Sequence, residues 1–174
     1  MKWPLVVALV AAPSVASADG FGPWIFGMTP AQIRAVADHG PYRTFSNGDL
    51  ETYNTTLCGQ KQNVQFYLAN GVLRRITVVT YEGPDSEAAA KHWVWTYQCL
   101  DKLYGTLATP GLKGANLQEL AAQAQRAVAA GAKVQMAPQS QPKDDFVFSS
   151  FNTYEAEGTT VYRVWVNYDP PSPE

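Results

Sequence analysis

The sequence predicts an α+β fold, with helices packed on one face of an antiparallel sheet. Three observations indicate this class. Several segments alternate apolar and polar residues with a period of two, two longer segments have the 3.6-residue period of helices, and short turns join successive strand-like segments. Antiparallel strands can be joined by such turns, whereas parallel strands need long crossovers. The predicted order of elements is αβββααββ.

The N-terminus has the parts of an export signal. Lys2 is basic, an apolar run covers Leu5–Ala12, and Ala16 and Ala18 are the small residues that signal peptidase reads. This run is shorter than the roughly 20 residues that cross a bilayer, although an uncleaved anchor is the alternative. We therefore predict a signal peptide over residues 1–18, a mature chain that begins at Asp19, and a periplasmic or secreted location.

The remaining length and charge fit one domain that does not bind nucleic acid. Residues 19–169 form the predicted domain, and residues 170–174 form a predicted mobile, proline-rich tail. Removing Lys2 from the 13 basic residues leaves 12 against 15 acidic residues, a net charge of −3. Nucleic-acid partners require clustered Lys and Arg, which this balance does not supply. No second apolar run approaches membrane length, so no span is expected in the mature chain.

The first predicted helix has a complete start signal. Thr29 is the expected N-cap, Pro30 takes the first helical position, and Gln32 can close a capping box. Gly40-Pro41 ends this helix.

Three strand-like segments follow, and the last two form a predicted hairpin. Their ranges are Leu50–Leu57, Asn63–Leu68 and Val72–Tyr81. The second and third are joined by Asn70-Gly71, a strong hairpin signal because both residues tolerate positive φ.

The second half of the chain contains two predicted helices followed by two strands. The longer helix runs from about residue 85 to 104, and its wide apolar arc predicts burial on most of its circumference. The next helix, at about 117–130, has Asn116 and Glu119 for a capping box. Residues 137–143 are a predicted loop, and strands at 146–154 and 160–168 flank a turn at Glu157-Gly158.

The two cysteines are interpreted first as a pair. An exported chain passes through an oxidising compartment, so Cys58, at the end of a strand, and Cys99, on the long helix, are predicted to form a disulfide. The alternative is two buried free thiols.

No constellation for catalysis, metal binding or cofactor binding is present in the sequence. Only His39 and His92 could act as histidine bases, and there is no Gly-x-Ser-x-Gly turn. These histidines and the two cysteines lack the close spacing of zinc ligands. The glycines form neither a phosphate loop nor a dinucleotide fingerprint, and no pair of carboxylates is marked out. We therefore expect no enzyme activity, no cofactor and no metal.

A possible interaction patch lies on the last strand. Two-residue alternation places Tyr162, Val164 and Val166 on the buried face and therefore places Arg163 and Trp165 outward. Trp and Arg are the residues most enriched at interface hot spots. The alternative is that the long helix or the tail covers Trp165.

Residues 24–79 resemble the BamE/SmpA-like superfamily. The resemblance rests on Phe26-Gly27-Met28-Thr29-Pro30-Ala31-Gln32-Ile33, on the following Gly40-Pro41, and on the segment from Val64 to Ile76. That group includes small periplasmic assembly lipoproteins and, with two tandem copies, secreted β-lactamase inhibitor proteins. Its members bind other proteins, so the resemblance implies an interaction module.

The chain differs from the group in having no lipid-attachment Cys, and in having two further helices and two further strands. A tandem interpretation would make Asn116–Tyr168 a second unit, but no second Gly-Met-Thr motif occurs there.

Three functions are therefore open. The first is a periplasmic protein-binding or envelope-maintenance module without catalysis, whose partner is another protein. The second is an inhibitor or immunity protein that blocks an enzyme, and the third is a weak hydrolase acting on the cell wall. The sequence does not determine the oligomeric state or whether the aromatic residues bind sugar.

Overall fold

The structure is a computed structural model that describes residues 20–171. The predicted signal peptide at 1–18, the predicted start at Asp19 and the last three residues of the predicted tail lie outside the described residues. Pro170 and Pro171 are described and belong to no helix or strand.

The described residues contain ten strands and three α-helices. The strands are β1 Gly20–Phe21, β2 Trp24–Ile25, β3 Tyr42–Thr44, β4 Leu50–Leu57, β5 Gln60–Ala69, β6 Val72–Gly83, β7 Leu107–Ala108, β8 Val134–Pro138, β9 Phe146–Ala156 and β10 Thr159–Asp169. The helices are α1 Pro30–Arg34, α2 Ser86–Tyr104 and α3 Leu117–Ala129, and a 3₁₀ turn covers Ala37–His39.

Eight of these strands form one antiparallel sheet in the order β3-β4-β5-β6-β10-β9-β8-β7. Each half of the sheet is a meander whose strands follow the chain, and the two halves meet where β6 pairs with β10. Strands β1 and β2 form a separate small hairpin. The hairpins β5–β6 and β9–β10 turn at Asn70-Gly71 and Glu157-Gly158, where all four residues have positive φ.

The α+β class and the antiparallel sheet are confirmed, but the predicted order αβββααββ is wrong. It omits β3 and β8 as well as the short strands β1, β2 and β7. Strand β3 has only three residues, too few for alternation to be recognised. Strand β8 ends at Pro138, inside the stretch 137–143 whose prolines and glutamines are typical of the predicted loop. A proline is tolerated there because β8 ends next to the very short β7 at the sheet edge.

The predicted helix starts are confirmed, with the predicted caps at α1 and α3 and a cap at α2 that was not predicted. Thr29 and Gln32 close a capping box at α1, and the carboxylate of Asp85 accepts hydrogen bonds from two backbone N–H groups at α2. Asn116 accepts from the N–H of Glu119 at α3, and Glu119 in turn accepts from the side chain of Asn116. These side chains satisfy N–H groups that the first turn of a helix leaves without partners. Helix α1 ends earlier than predicted, since the 3₁₀ turn occupies the residues before Gly40.

The core lies between the helices and one face of the sheet. Helix α2 packs on β6 and β10, and α3 packs on β8 and β9. Near the other end of the sheet, Trp24 fills the space above β5, with its ring 4.7 Å from that of Phe66. Fully buried side chains from both halves of the sheet belong to one continuous cluster, including Leu50, Val64, Phe66, Ile76, Val78, Met136, Phe151, Val164 and Val166.

The predicted disulfide joins the sheet to the helical layer. Cys58 follows the last residue of β4, Cys99 lies on α2, and their Cα atoms are 5.9 Å apart.

Helix α2 is less enclosed than predicted, because Leu103, which lies on its apolar arc, is 51% exposed. No helix within residues 20–171 is both long enough and apolar enough to cross a membrane.

Candidate functional site

The helices do not pack on the second face of the sheet, and we call it the open face, although its smaller central side chains, such as Thr77, Ser150 and Asn167, are buried. Its position follows from the register across five strands, where Asn63, Val79, Trp165, Ser150 and Gln135 are successive Cα partners. Their neighbours along each strand are buried, and most of these neighbours belong to the core cluster on the helical side. A second row crosses the same face and contains Arg43, Glu51, Gln65, Thr77, Asn167 and Phe148.

Most of the exposed large apolar side chains lie on the open face. Six such side chains are exposed within residues 20–171. Four of them lie on this face, namely Phe45, Tyr53, Phe146 and Tyr154. The other two, Ile25 and Leu103, lie on β2 and α2. A soluble surface distributes single apolar side chains widely, so this concentration marks the open face as a candidate interaction surface.

The sequence-predicted patch, Arg163 and Trp165, lies near the centre of the open face. Trp165 is opposite Val79 on one side and Ser150 on the other, so the helices do not cover it. It is nevertheless only half-exposed, because neighbouring strands flank it and the Arg163 guanidinium lies 5.1 Å from its ring centroid. The role of these two residues in binding stays a prediction.

Arg163 connects several polar groups of the open face. Its Nη2 donates to the side-chain oxygen of Gln65 at 2.7 Å, and its Nε lies 3.3 Å from Glu82 Oε2. The other carboxylate oxygen of Glu82 accepts from the hydroxyl of Tyr154. Charge near the centre is therefore paired and held in a defined geometry.

Two adjacent shallow grooves run beside this centre. The larger, of about 690 Å³, is lined by residues that include Phe45, Glu51, Tyr53, Asn63 and Glu82. The smaller, of about 420 Å³, shares Phe45 and Glu82 with it. The lining of both grooves is mixed, with aromatic rings, amides and carboxylates, which is suited to recognition rather than to enclosure of a small apolar ligand.

Glu51 is the most buried carboxylate of the larger groove. Its side chain is 8% exposed and accepts a hydrogen bond of 2.8 Å from Asn63 Nδ2. The nearest guanidinium, that of Arg43, is 4.0 Å away and 75% exposed. The pKa of the Tyr53 hydroxyl is raised, first by its partial burial and then by the negative charge of Glu51.

The far end of the open face is more apolar. The rings of Phe146 and Phe148 are 5.5 Å apart and line a pocket of about 230 Å³. Arg75 lies 5.8 Å from the Phe148 centroid and forms a two-pronged ion pair of 2.6 Å with Asp169. Aromatic side chains therefore occur along the whole length of the open face.

The two histidines do not belong to this surface. The His39 Nδ1 lies 2.6 Å from the Thr55 hydroxyl, and its ring packs edge-on against Trp24. The His92 ring packs against Tyr81, and burial lowers the pKa of His92. Both cysteines are in the disulfide and therefore supply no thiolate.

The groove residues Glu51, Tyr53 and Glu82 were not among the site residues predicted from the sequence. Glu51 and Tyr53 could have been placed by alternation along β4, since they are two residues apart beside the buried Leu50 and Thr52. Glu82 could not, because the register between β6 and β10 shifts at Thr80. This bulge turns Glu82 to the same face as Val79, three residues earlier.

Comparison with protein-family models, with curated proteins and with solved structures finds no match to this chain. The interpretation of the open face therefore rests on its geometry and chemistry.

Proposed function

We propose that this chain is an exported protein-binding module without catalysis, and that the open face is its recognition surface. The observation that carries the proposal is the clustering of Phe45, Tyr53, Phe146 and Tyr154 on the one face that the helices leave uncovered. Aromatic residues with Arg at the centre and polar groups at the rim are the composition of protein interfaces.

The disulfide supports a location outside the cytoplasm. Disulfides form and persist in oxidising compartments, and the Cys58–Cys99 bond agrees with the export signal read from the sequence. The resemblance of residues 24–79 to a superfamily of periplasmic and secreted binding proteins favours the same function.

Two kinds of partner fit this surface. An envelope-maintenance module would bind another component of the cell envelope, whereas an inhibitor or immunity protein would bind an enzyme and block it. Both would use the open face, so identification of the captured partner separates them.

The test is affinity capture from a periplasmic extract, with mass spectrometry of what is retained. We expect Tyr53→Ala and Phe146→Ala to lose the captured partner, since both remove exposed anchors from the open face. Leu103→Ala is the matched control, because it removes a similarly exposed apolar side chain from the helical layer. Equal capture by all three variants would contradict the assignment of the open face.

A hydrolase that acts on the cell wall is the second candidate. The observation that favours it is that Glu51 and Glu82 line the same groove, since glycoside cleavage uses two carboxylates. Release of reducing sugar from purified peptidoglycan by the wild-type protein, and its loss in Glu82→Gln, would replace the binding proposal with this one.

A further inference from the structure

The larger groove of the open face has a defined charge. Arg43 lies 4.0 Å from Glu51 and Arg163 forms an ion pair with Glu82. Neither arginine lines the groove, and the charged side chains that do are the acidic Glu51 and Glu82. Its other walls include the exposed rings of Phe45 and Tyr53 and the amides of Asn63 and Gln65. The amides both donate and accept hydrogen bonds, whereas the carboxylates and the aromatic faces favour a ligand that carries positive charge and N–H donors.

Glu51 is a buried carboxylate whose hydrogen-bonding neighbours are neutral and whose nearby cation, Arg43, is distant and exposed. A buried carboxylate loses hydration and needs hydrogen bonds or a close cation in return. Glu51 has the hydrogen bond from Asn63 and the Tyr53 hydroxyl beside it, but both are neutral groups, and Arg43 is 4.0 Å away and largely exposed, a geometry that contributes little. A second cation in the groove would therefore gain a strong interaction with Glu51.

Glu82 and the aromatic rings complete the acceptor set. The Glu82 side chain is 41% exposed and therefore accessible, although Arg163 contacts one of its carboxylate oxygens and the Tyr154 hydroxyl donates to the other. Arg43 lies 5.7 Å from the centroid of the Tyr53 ring, within the range of cation–π attraction. The Tyr53 ring is thus already in contact with a guanidinium and is 55% exposed.

We propose that this groove receives a basic side chain, Arg in preference to Lys, from the partner protein. The inference rests on the proposed function and names the chemistry that the partner must present. Arg is preferred because its planar guanidinium can donate to a carboxylate while stacking on an aromatic ring. The groove volume of about 690 Å³ exceeds one side chain, so residues flanking the basic one also enter.

The probes are N-acetyl-arginine amide and its neutral isostere N-acetyl-citrulline amide, titrated into the full mature chain and followed by NMR. We expect the arginine compound to shift the side-chain amide signals of Asn63 and Gln65, with a Kd on the order of 1 mM. The citrulline compound should leave these signals unchanged, because it has the same shape without the charge.

Two variants and one control test the carboxylates. Glu51→Gln and Glu82→Gln should each weaken arginine binding by about tenfold, the loss of one charge-assisted hydrogen bond. Asp101→Asn, an exposed neutralisation on α2, should leave it unchanged. If Glu51→Gln fails to fold, Glu82→Gln carries the test, because Glu82 is partly exposed.

Three results would overturn the inference. These are equal shifts with arginine and citrulline, shifts confined to signals outside the groove, or binding of a chito-tetrasaccharide but not of arginine. If arginine fails to bind while Tyr53→Ala and Phe146→Ala still lose the captured partner, the proposed function stands and only the groove assignment fails. If arginine binds but capture does not depend on the open face, the proposed function fails instead.

Discussion

Arg163 has three kinds of contact that a lysine could not reproduce together. Its guanidinium hydrogen-bonds to Gln65, lies beside the carboxylate of Glu82 and stacks over Trp165. A lysine ammonium is a compact charge on a flexible stem and cannot stack and donate in the same plane. We expect Arg163→Lys to lower the free energy of unfolding by about 1 kcal/mol, measured by urea denaturation.

The matched control for this substitution is Arg43→Lys. Arg43 is 75% exposed and lies 4.0 Å from the carboxylate of Glu51. The same change there should therefore lower the free energy of unfolding by less than about 0.5 kcal/mol. Equal costs at the two positions would mean that the contacts of Arg163 are not held together in solution. Trp165→Ala would then also cost no more than an ordinary surface change.

His92 provides a prediction about pH. Its ring is half-buried against Tyr81, its Nδ1 has no hydrogen-bond partner within the described residues, and burial lowers its pKa below the usual 6.5. Between the folded pKa and 6.5 the unfolded chain therefore binds more protons than the folded chain, and stability falls as the pH falls through this range. Lowering the pH from about 7.5 to about 5.5 should destabilise the wild type more than His92→Gln.

Urea unfolding of both proteins at the two pH values measures this difference. Other titrating groups contribute equally to the wild type and the variant, so the comparison isolates His92. A wild type that loses no more stability than His92→Gln would show that the ring is solvated in the folded state.

At the scale of elements, the disulfide determines how α2 is held to β4. It closes a loop between residues 41 apart in the sequence, and loop closure of this length removes about 4 kcal/mol of chain entropy from the unfolded state. We expect Cys58→Ser/Cys99→Ala to lose about this much stability in urea denaturation, with Ala chosen because Cys99 is 4% exposed. A loss below about 1 kcal/mol, or two alkylatable thiols in the native wild type, would contradict the prediction.

Elements with strong local signals could be predicted from the sequence, and short ones could not. Capping residues indicated the starts of α1 and α3, and the turn at Asn70-Gly71 indicated the β5–β6 hairpin. Strand β3 exists because its three residues pair with Thr52, Glu51 and Leu50, a tertiary contact that local sequence does not report. Strand β8 has buried Val134 and Met136 in alternation, yet the prolines nearby favoured a loop.

The candidate site could be predicted only in part, for a related reason. Alternation along β10 placed Arg163 and Trp165 on the face away from the helices, and the register agrees with that orientation. The groove depends on which strands lie side by side, and β4 and β10 are separated by β5 and β6 in the sheet. Glu82 faces the groove because of the bulge in β6, and two-residue alternation in the sequence does not locate a bulge.

At the scale of the whole molecule, the two meanders share one sheet and one core. Strands β6 and β10 pair over seven registered positions from Tyr162 to Tyr168. The buried cluster runs without interruption from Leu50 in the first half to Met136 in the second. Neither half can therefore lose its packing without exposing apolar surface of the other, and we expect the domain to unfold in a single transition.

Native-state hydrogen exchange tests this cooperativity. The backbone amides of Val64 on β5 and Phe151 on β9 should have the same free energy of opening in the wild type, because both open only by global unfolding. Leu50→Ala creates a cavity in the first half and should cost about 2–5 kcal/mol; Met136→Ala does the same in the second half. Each substitution should lower the opening free energy at both amides by the same amount. A loss at Val64 alone in Leu50→Ala, or at Phe151 alone in Met136→Ala, would show that the β6–β10 pairing joins two units that unfold separately.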